Sequence, residues 1–273
     1  MKKFEGLLMC TDLDGTLLRA DKTISRENLD AIEYFKSEGG RFTFISGRMP
    51  CTAWDIFDII KPNAPFGCIN GGGIYDGYKK EYIWAERLDA LAMDIVDDVY
   101  NKLPTVGFQV NTLDNIYFCR ENFAMQEFRR LTGVPNLVRH YRDMDEPVAK
   151  VVFGVTSEED MAALIETLHS HPEAEKFDFI RSERALYEIL PKGISKGSLL
   201  PRLAANLGID MKKTIGIGDY NNDVTLLRTA GLGVAVANAT EEAKAAADHI
   251  TVSNEEHAIA RIIYDIESGK LKI

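Results

Sequence analysis

The sequence predicts an α/β protein with a Rossmann-like parallel-sheet core and an inserted α+β domain. Apolar, strand-like segments alternate with amphipathic helical segments over residues 1–84 and again over residues 191–273. Such alternation indicates right-handed βαβ crossovers and therefore a parallel sheet. Over residues 85–190 the pattern changes to strand-like pairs that meet across turns, with helices between them. We therefore expect a core built from both ends of the chain and an antiparallel domain inserted into it.

Composition indicates an ordinary globular protein large enough for two domains. Of its 273 residues, 45% are hydrophobic and 27% are charged, and the net charge is −10. An acidic chain is a poor partner for nucleic acid or an anionic membrane. No apolar stretch approaches the roughly 20 residues that a membrane span requires, and the first residues lack a signal-like apolar region. We therefore expect a cytoplasmic protein without nucleic-acid or membrane partners; its oligomeric state cannot be read from the sequence.

The segment LLMCTDLDGTLL at residues 7–18 organises the rest of the chain. Its apolar start predicts a buried strand, and the strand runs into two carboxylates. On an extended backbone, Asp12 and Asp14 would point to the same face, and this arrangement needs a cation or a shared proton. Gly15 permits a sharp turn, and Thr16 can form a hydrogen bond with a carboxylate or with the backbone of the turn. Ligands of α/β proteins bind at such strand ends, although solvated aspartates in an Asx-turn are the simpler alternative.

Local signals predict the order of elements in the first part of the core. Ser25 is an N-cap candidate, and the glycine pair at 39–40 ends the helix that it starts. After this helix we expect a strand at 41–45, a helix at 49–60, a strand at 66–69 and a hairpin formed by 74–75 and 82–84. Cys10 and Cys68 fall in the strand-like runs, which predicts buried, structural thiols.

The inserted part and the remainder of the core are predicted in the same way. In the insertion we expect helices at 88–103, 121–131 and 158–170, a strand at 148–155, and hairpins at 105–119 and 177–190. In the remainder we expect helices at 195–207, 224–229, 241–247 and 255–266, and strands at 214–217, 232–236 and 249–252.

Polar residues follow several strands of the predicted parallel sheet. They are Asp12 with Asp14, Ser46, Asn70, and the group Asp219, Asn222 and Asp223, joined by Lys196 at a helix start. Because the carboxyl ends of parallel strands share one edge, these residues should form one pocket. Clustered carboxylates favour a hard divalent cation such as Mg²⁺, and a lysine, a hydroxyl and backbone N–H groups suit a phosphoryl group. The pattern predicts phosphoryl transfer with an aspartate available as nucleophile.

Four motifs in this order resemble those of the haloacid dehalogenase (HAD) superfamily, and in particular its Cof-type subclass IIB phosphatases. They are Asp-Leu-Asp-Gly-Thr at 12–16, Ser-Gly-Arg at 46–48, Lys196, and Gly-Asp-Tyr-Asn-Asn-Asp at 218–223. The resemblance covers essentially the whole chain, and the insertion lies where that subclass carries its cap. It implies a HAD-like catalytic core at 1–84 and 191–273, and a substrate-specificity cap at 85–190 that closes over the site. One departure is Val236-Ala237, where the family has Met-Gly before the asparagine that is Asn238 here; we expect the pocket to tolerate it.

The resemblance also implies a role for each acidic residue. Asp12 would attack phosphorus and form an aspartyl-phosphate. Asp14 would protonate the leaving group and then deprotonate the hydrolytic water. Mg²⁺ would be held by Asp12, the backbone carbonyl of Asp14 and Asp219, with Asn222 and Asp223 as further ligands or supports.

The phosphoryl group would be bound by Ser46, the Gly47 amide, Lys196 and Asn222. The implied enzyme is a phosphatase for small phosphorylated metabolites such as sugar phosphates. Alone, each residue has a simpler interpretation: Ser46 as a helix N-cap, Lys196 as a surface lysine, and Asp219 and Asp223 as carboxylates at a helix start.

Three alternative functions follow from the same core. A phosphomutase of the subclass would share the core residues and hold a second phosphate in its cap. A receiver-type signalling domain also combines acids, a hydroxyl and a lysine, but it would be far shorter. A non-catalytic phosphate-binding protein would lack a catalytic residue, and no such residue is missing from the motifs.

Overall fold

The computed structural model describes residues 2–273, which divide into two compact units. The first unit comprises residues 2–47, Trp54–Trp84 and Ser195–Ile273. The second comprises Arg48–Ala53 and Ala85–Ile194. The chain therefore leaves the first unit twice, briefly at Arg48–Ala53 and then for Ala85–Ile194, and returns each time.

Strands and helices alternate in the N-terminal part. The elements are β1 (Leu8–Thr11), α1 (Arg26–Ser37), β2 (Arg41–Phe44), α2 (Trp54–Ile60), β3 (Phe66–Cys68), β4 (Gly73–Asp76) and β5 (Glu81–Ala85). Ser25 caps α1 as predicted, because its Oγ accepts a hydrogen bond from the Asn28 N–H at 3.2 Å. The helix predicted at 49–60 is instead a 3₁₀ turn at Pro50–Thr52 followed by α2, so its α-helical part starts five residues later.

The second unit is a six-stranded sheet with helices. Its elements are α3 (Ala92–Lys102), β6 (Gly107–Thr112), β7 (Ile116–Arg120), α4 (Phe123–Thr132), β8 (Leu137–Val138), β9 (Val148–Gly154), α5 (Glu158–Ser170), β10 (Phe177–Glu183) and β11 (Leu186–Pro191). The strand order is β10-β11-β9-β6-β7-β8, and the pairs are antiparallel except for β7 with β8. One face of this sheet packs its apolar side chains against α3 and α5.

The chain then completes the parallel sheet of the first unit. The elements are α6 (Lys196–Leu207), β12 (Thr214–Gly218), α7 (Val224–Thr229), β13 (Leu232–Ala235), α8 (Glu241–Ala246), β14 (His249–Ile250) and α9 (Ala258–Glu267). The strand order is β14-β13-β12-β1-β2, and every neighbouring pair is parallel. Leu8 and Cys10 of β1 pack with Leu199 and Leu203 of α6 in the apolar core. The predicted α/β class with a parallel sheet is confirmed.

The third strand differs from the sequence-based expectation. β3 belongs to a separate three-stranded sheet of order β3-β4-β5 and pairs antiparallel with β4. A single parallel bridge, between Ile45 and Gly67, connects it to the end of β2. Because the chain reverses directly after Cys68, β3 pairs with β4, the next strand in the sequence. Its link to the parallel sheet is therefore limited to the one bridge between Ile45 and Gly67. Both Cys10 and Cys68 are buried, as predicted.

Across residues 2–273, no helix is both long enough and apolar enough to span a membrane.

Candidate active site

Asp12 lies at the carboxyl end of β1, an interior strand of the parallel sheet. β1 ends at Thr11, between β12 and β2, and the Asp12 N–H continues the ladder by donating to the Ile217 carbonyl at 2.8 Å. The Asp12 residue is 6% exposed, and its Oδ1 accepts a hydrogen bond from Lys196 Nζ at 2.6 Å. Burial raises the pKa of Asp12 well above its usual value, and Lys196 opposes that rise. The strand therefore fixes a desolvated carboxylate against a lysine.

Lys196 is the first residue of α6, where Ser195 forms a capping box with Ser198. Its side chain is buried, and Nζ also donates to Asp223 Oδ1 at 2.6 Å. A cation at a helix N-terminus is unfavourable, and here two carboxylates compensate for it and raise the pKa of the lysine. The loop after β3 approaches the start of α6 closely at Gly71. A Cβ at this position would lie 2.0 Å from the Ser195 carbonyl oxygen, so the approach requires glycine.

Asp219 follows β12 and faces the turn that leaves β1. Thr16 Oγ1 donates to Asp219 Oδ1 at 2.7 Å, the carboxylate hydrogen bond that the sequence allowed for Thr16. Gly15 has a positive φ of 82°, and a Cβ on it would lie 2.4 Å from Asp219 Oδ2. Burial, with a further contribution from the charge of Asp223, raises the pKa of Asp219 to about 7. Glycine and threonine therefore hold this carboxylate against the first turn.

Asp223 is completely buried and uses both carboxylate oxygens. Oδ1 accepts from Lys196, and Oδ2 accepts from the backbone N–H groups of Asp219 at 3.0 Å and Tyr220 at 3.1 Å. The carboxylate oxygens of Asp12, Asp219 and Asp223 lie within 4.8 Å of one another. When all three carboxylates are ionised, they and the ammonium sum to a charge of −2, which suits a divalent cation. Oxygen donors of this kind favour hard cations.

A second group of site residues surrounds the end of β2. The Ser46 N–H donates to the Gly67 carbonyl, and the Asn70 N–H donates to the Ser46 carbonyl, both at 3.0 Å. Asn70 Oδ1 accepts from Asn222 Nδ2 at 3.0 Å, and a Cβ on Gly47 would lie 2.9 Å from that same oxygen. Asn70 thus connects the Ser46–Gly47 loop to the loop after β12. Within residues 2–273, the buried Asn222 Oδ1 accepts no hydrogen bond.

The backbone at this connection has an unusual conformation. Ile69 and Asn70 have positive φ values of 59° and 51°. Asparagine tolerates the left-handed region, but a β-branched residue rarely adopts it. Strain of this kind persists where surrounding structure enforces it, and it concentrates at functional sites.

Asp14 lies beyond the end of β1, where it pairs with Leu18 in an isolated bridge. Asp14 Oδ1 accepts from Lys22 Nζ at 2.8 Å, and the Asp14 side chain is 24% exposed. Its charge still contributes to the raised pKa of Asp219. Asp14 is therefore near the carboxylate group without being part of its buried centre.

Asn238 supports the same turn from the loop after β13. Its Nδ2 donates to the Gly15 carbonyl at 2.8 Å, and its Oδ1 accepts from the Asn254 N–H at 3.0 Å. Asn238 therefore makes these contacts with Val236-Ala237 before it, in place of the Met-Gly of the family motif.

A family model for haloacid dehalogenase-like hydrolases matches residues 9–263. The chain belongs to this family. Among curated relatives, 5-amino-6-(5-phospho-D-ribitylamino)uracil phosphatase YitU of Bacillus subtilis is 27% identical, over 94% of this chain and 96% of its own. A haloacid dehalogenase-like hydrolase structure from Bacteroides thetaiotaomicron superposes with a TM-score of 0.82 at 26% identity, covering 95% of this chain and 99% of the other.

The HAD subclass IIB sugar phosphatase BT4131 has the same fold, with a TM-score of 0.82 at 22% identity over 94% of this chain and 98% of that one. The predicted resemblance to the HAD superfamily phosphatases is confirmed, and the chain is a hydrolase of that superfamily.

The structure brings together most of the predicted site residues of this HAD-like hydrolase and adds others. Asp12, Lys196, Asp219 and Asp223 form one buried centre, which Asn222 adjoins through Asn70. Sequence reasoning placed Asn70 at a strand end without giving it a role, and its position there was the available signal. It did not identify Lys22 as the partner of Asp14, because that contact depends on the turn geometry between them.

Proposed function

We propose that this hydrolase is a Mg²⁺-dependent phosphatase for small phosphorylated metabolites, such as sugar phosphates or similar phosphomonoesters, and that it acts through an aspartyl-phosphate on Asp12. The observation that supports this most directly is the buried Asp12 carboxylate, hydrogen-bonded to Lys196 at the carboxyl end of a parallel strand. A desolvated carboxylate whose ionised form is supported by a lysine is suited to nucleophilic attack.

The residues present fit a hard divalent cation. The donors are oxygens, the centre carries an excess negative charge, and the buried Asn222 Oδ1 has no hydrogen-bond donor within the described chain. Asp12, Asp219 and the backbone carbonyl of Asp14 would hold Mg²⁺. Asp223 would support them through its two hydrogen bonds to the backbone around Asp219. The bound cation would neutralise charge on the phosphoryl oxygens.

The phosphoryl group would be bound beside Asp12 by Lys196, the Ser46 hydroxyl, the Gly47 N–H and Asn222. The contacts of Asn70 support this assignment, because they hold the Ser46–Gly47 loop and Asn222 together. Donors fixed in advance stabilise the charge that develops as the phosphoryl group is transferred.

The covalent step starts when an Asp12 carboxylate oxygen forms a bond to phosphorus while the bond from phosphorus to the alcohol oxygen breaks. Asp14, in its protonated form, gives its proton to the leaving oxygen. Asp14 then accepts a proton from water as that water attacks phosphorus and the acyl-phosphate bond breaks. Phosphate leaves and the Asp12 carboxylate is restored.

One buried ion pair of the second unit favours hydrolysis over a mutase reaction. Its buried cation Lys150 lies 2.8 Å from Glu188, and both side chains are almost fully buried. A mutase would need positive charge there for a second phosphate, and Glu188 neutralises this lysine.

Phosphate release with and without Mg²⁺ tests the proposal. Wild type, Asp12→Asn and the matched control Asp58→Asn, which changes an exposed residue of α2, should be compared on sugar phosphates, p-nitrophenyl phosphate and 5-amino-6-(5-phospho-D-ribitylamino)uracil. We expect Mg²⁺-dependent release by wild type and Asp58→Asn and loss of release in Asp12→Asn. Equal release by Asp12→Asn would exclude the proposed nucleophile. Isomer formation without release would identify a mutase, and magnesium binding without any turnover would indicate a binding role.

A further inference from the structure

Two asparagines from the last part of the chain hold the turn that follows β1 at residues 13–18. Asn254 Nδ2 donates to the Leu18 carbonyl at 2.8 Å, and Asn238 Nδ2 donates to the Gly15 carbonyl at the same distance. The Asn254 N–H also donates to Asn238 Oδ1 at 3.0 Å. We call Asn238 and Asn254 the asparagine clamp, because they connect the two carbonyls of the turn in one chain of hydrogen bonds.

The turn itself is closed around one acceptor, the Leu13 carbonyl. This carbonyl accepts hydrogen bonds from the N–H groups of residues 16–18, at 3.3, 3.1 and 2.8 Å in chain order. Leu18 also pairs with Asp14 in an isolated bridge. The Leu18 carbonyl that Asn254 holds therefore belongs to the backbone beside Asp14.

Asn254 is the buried member of the clamp. It is 7% exposed, and its bond to Leu18 is buried and spans 236 residues of the chain. The backbone next to it is held in turn, because Ser253 forms a capping box with Glu256. Breaking a buried bond of this kind leaves a desolvated carbonyl without its donor, so the pair resists displacement.

The loop that carries Asn238 also holds Asp219. The Thr240 N–H of this loop donates to the Asp219 carbonyl at 2.9 Å. On the other side, Thr16 connects the turn to the Asp219 carboxylate through its hydroxyl. The clamp is therefore one of two connections between the turn and the segment that carries Asp219.

We propose that Asn254, together with Asn238, is a positioning residue for phosphoryl transfer and sets the place of Asp14. The clamp fixes the backbone of the turn at Gly15 and at Leu18, and the Asp14 side chain projects from that backbone. A displacement of about 1 Å in a reacting group can cost about 100-fold in rate. This inference rests on the proposed phosphatase function, which it deepens by naming the residues that control its proton-transfer step.

Asn254→Ala tests the proposal, because it removes the amide that holds the Leu18 carbonyl. The matched control is Asn28→Ala in the same unit. Asn28 is 0% exposed, and its Oδ1 accepts from the Ala260 N–H at 3.0 Å across 232 residues. Both variants lose a buried bond between distant parts of the chain, but that of Asn28 joins α1 to α9. Asn238→Ala, at an exposed position, is a second clamp variant with less risk to folding.

Two phosphate esters separate positioning from general damage. The alcohol of glucose 6-phosphate needs a proton as it leaves, whereas p-nitrophenolate leaves without one. The value of kcat/KM reports the transfer of the phosphoryl group to Asp12, which precedes hydrolysis of the aspartyl-phosphate. Hydrogen exchange of the peptide that covers residues 13–18, measured without Mg²⁺ or substrate, follows the turn independently of turnover.

For Asn254→Ala we expect kcat/KM on glucose 6-phosphate to fall about 10-fold or more, and on p-nitrophenyl phosphate to change less than about 3-fold. Asn238→Ala should show the same selectivity with a smaller loss, because its bond to Gly15 is exposed to solvent. Both clamp variants should exchange faster at residues 13–18. Asn28→Ala should keep wild-type kinetics and wild-type exchange at the turn.

Equal losses on the two esters would show a general structural role and overturn the inference, as would wild-type kinetics in both clamp variants. If Asn254→Ala does not fold, the ratio of the two losses in Asn238→Ala decides in the same way. Absence of turnover on both esters by wild type would be a failure of the proposed function. In that case faster exchange at residues 13–18 in the clamp variants alone would still support the clamp as the device that positions the turn, and unchanged exchange would refute it.

Discussion

Lys196→Met removes the cation that lies between two buried carboxylates. The Lys196 and Asp223 side chains are 0% exposed and that of Asp12 is 8% exposed, and both N–O distances are 2.6 Å. Removal of one member of a buried ion pair costs about 3–5 kcal/mol, because the remaining charge stays desolvated. We expect a loss of this size in the free energy of unfolding of the first unit at neutral pH without Mg²⁺.

The loss should depend on pH in a defined direction. Burial already raises the pKa of Asp12 above its ordinary 3.8, and without Lys196 the rise is larger. A carboxyl whose pKa is raised by folding loses stability as pH increases from the unfolded value through the folded one. The difference between wild type and Lys196→Met should therefore be small near the unfolded pKa of 3.8 and increase toward neutral pH.

Urea unfolding followed by tryptophan fluorescence measures this quantity, because both tryptophans, Trp54 and Trp84, belong to the first unit. The matched control is Lys244→Met, which removes the exposed pair of Lys244 with Glu241 on α8. That change should cost about 0.5 kcal/mol or less. Equal costs for the two variants, or a cost for Lys196→Met that does not change with pH, would refute the reasoning.

Three further predictions concern the other side chains of the site. In the metal-free protein the pKa of Asp219 is raised to about 7, so Mg²⁺ affinity should fall as pH decreases below 7, and Mg²⁺ binding below pH 7 should release a proton. Calorimetry in buffers of different ionisation enthalpy measures the affinity and the proton release, and binding without proton release at pH 6 would contradict the prediction. Thr16→Val removes a buried hydrogen bond to Asp219, which should cost about 1 kcal/mol of stability and weaken Mg²⁺ binding several-fold; unchanged affinity in a magnesium titration would show that the bond does not tune the carboxylate. Asn70→Gly loses the hydrogen bond with Asn222 but relieves the left-handed backbone, so it should keep near-native stability and lose phosphatase activity. Asn70→Ala should lose the activity and also about 1–2 kcal/mol of the free energy of unfolding. Urea unfolding and phosphate release compare the two variants, and equal stability would exclude strain at this residue.

Much of the fold is predictable because local signals and global packing agree. The helix expected at 158–170 is observed at Glu158–Ser170, with Ser157 as its N-cap. The predicted strand ends carry Asp12 and Asp219 to the same edge because parallel pairing of β1 with β12 requires it. In these two cases the hydrophobic pattern and the order of elements along the chain are sufficient to predict the structure.

The remaining features depend on contacts that a sequence pattern does not encode. β3 has the composition of a parallel strand, but the tight reversal after it determines its antiparallel partner. The contact of Asp14 with Lys22 depends on the path of the loop between them, and the left-handed conformation of Ile69 occurs in the tight reversal between β3 and β4. None of these is a property of residue type or spacing.

The position of β1 between two parallel partners also affects how the protein is made. Its partner β2 follows within about 30 residues, but β12, on its other side, is synthesised about 200 residues later. At translation rates of about 5–20 residues per second, that interval is about 10–40 s. During this time the ribosome-bound chain keeps an apolar strand with one unpaired edge, while the whole insertion is synthesised and can fold as its own unit. Closure of the β1 edge by β12 is therefore the late event of biogenesis, and it is the same event that brings Asp219 and Asp223 to Asp12.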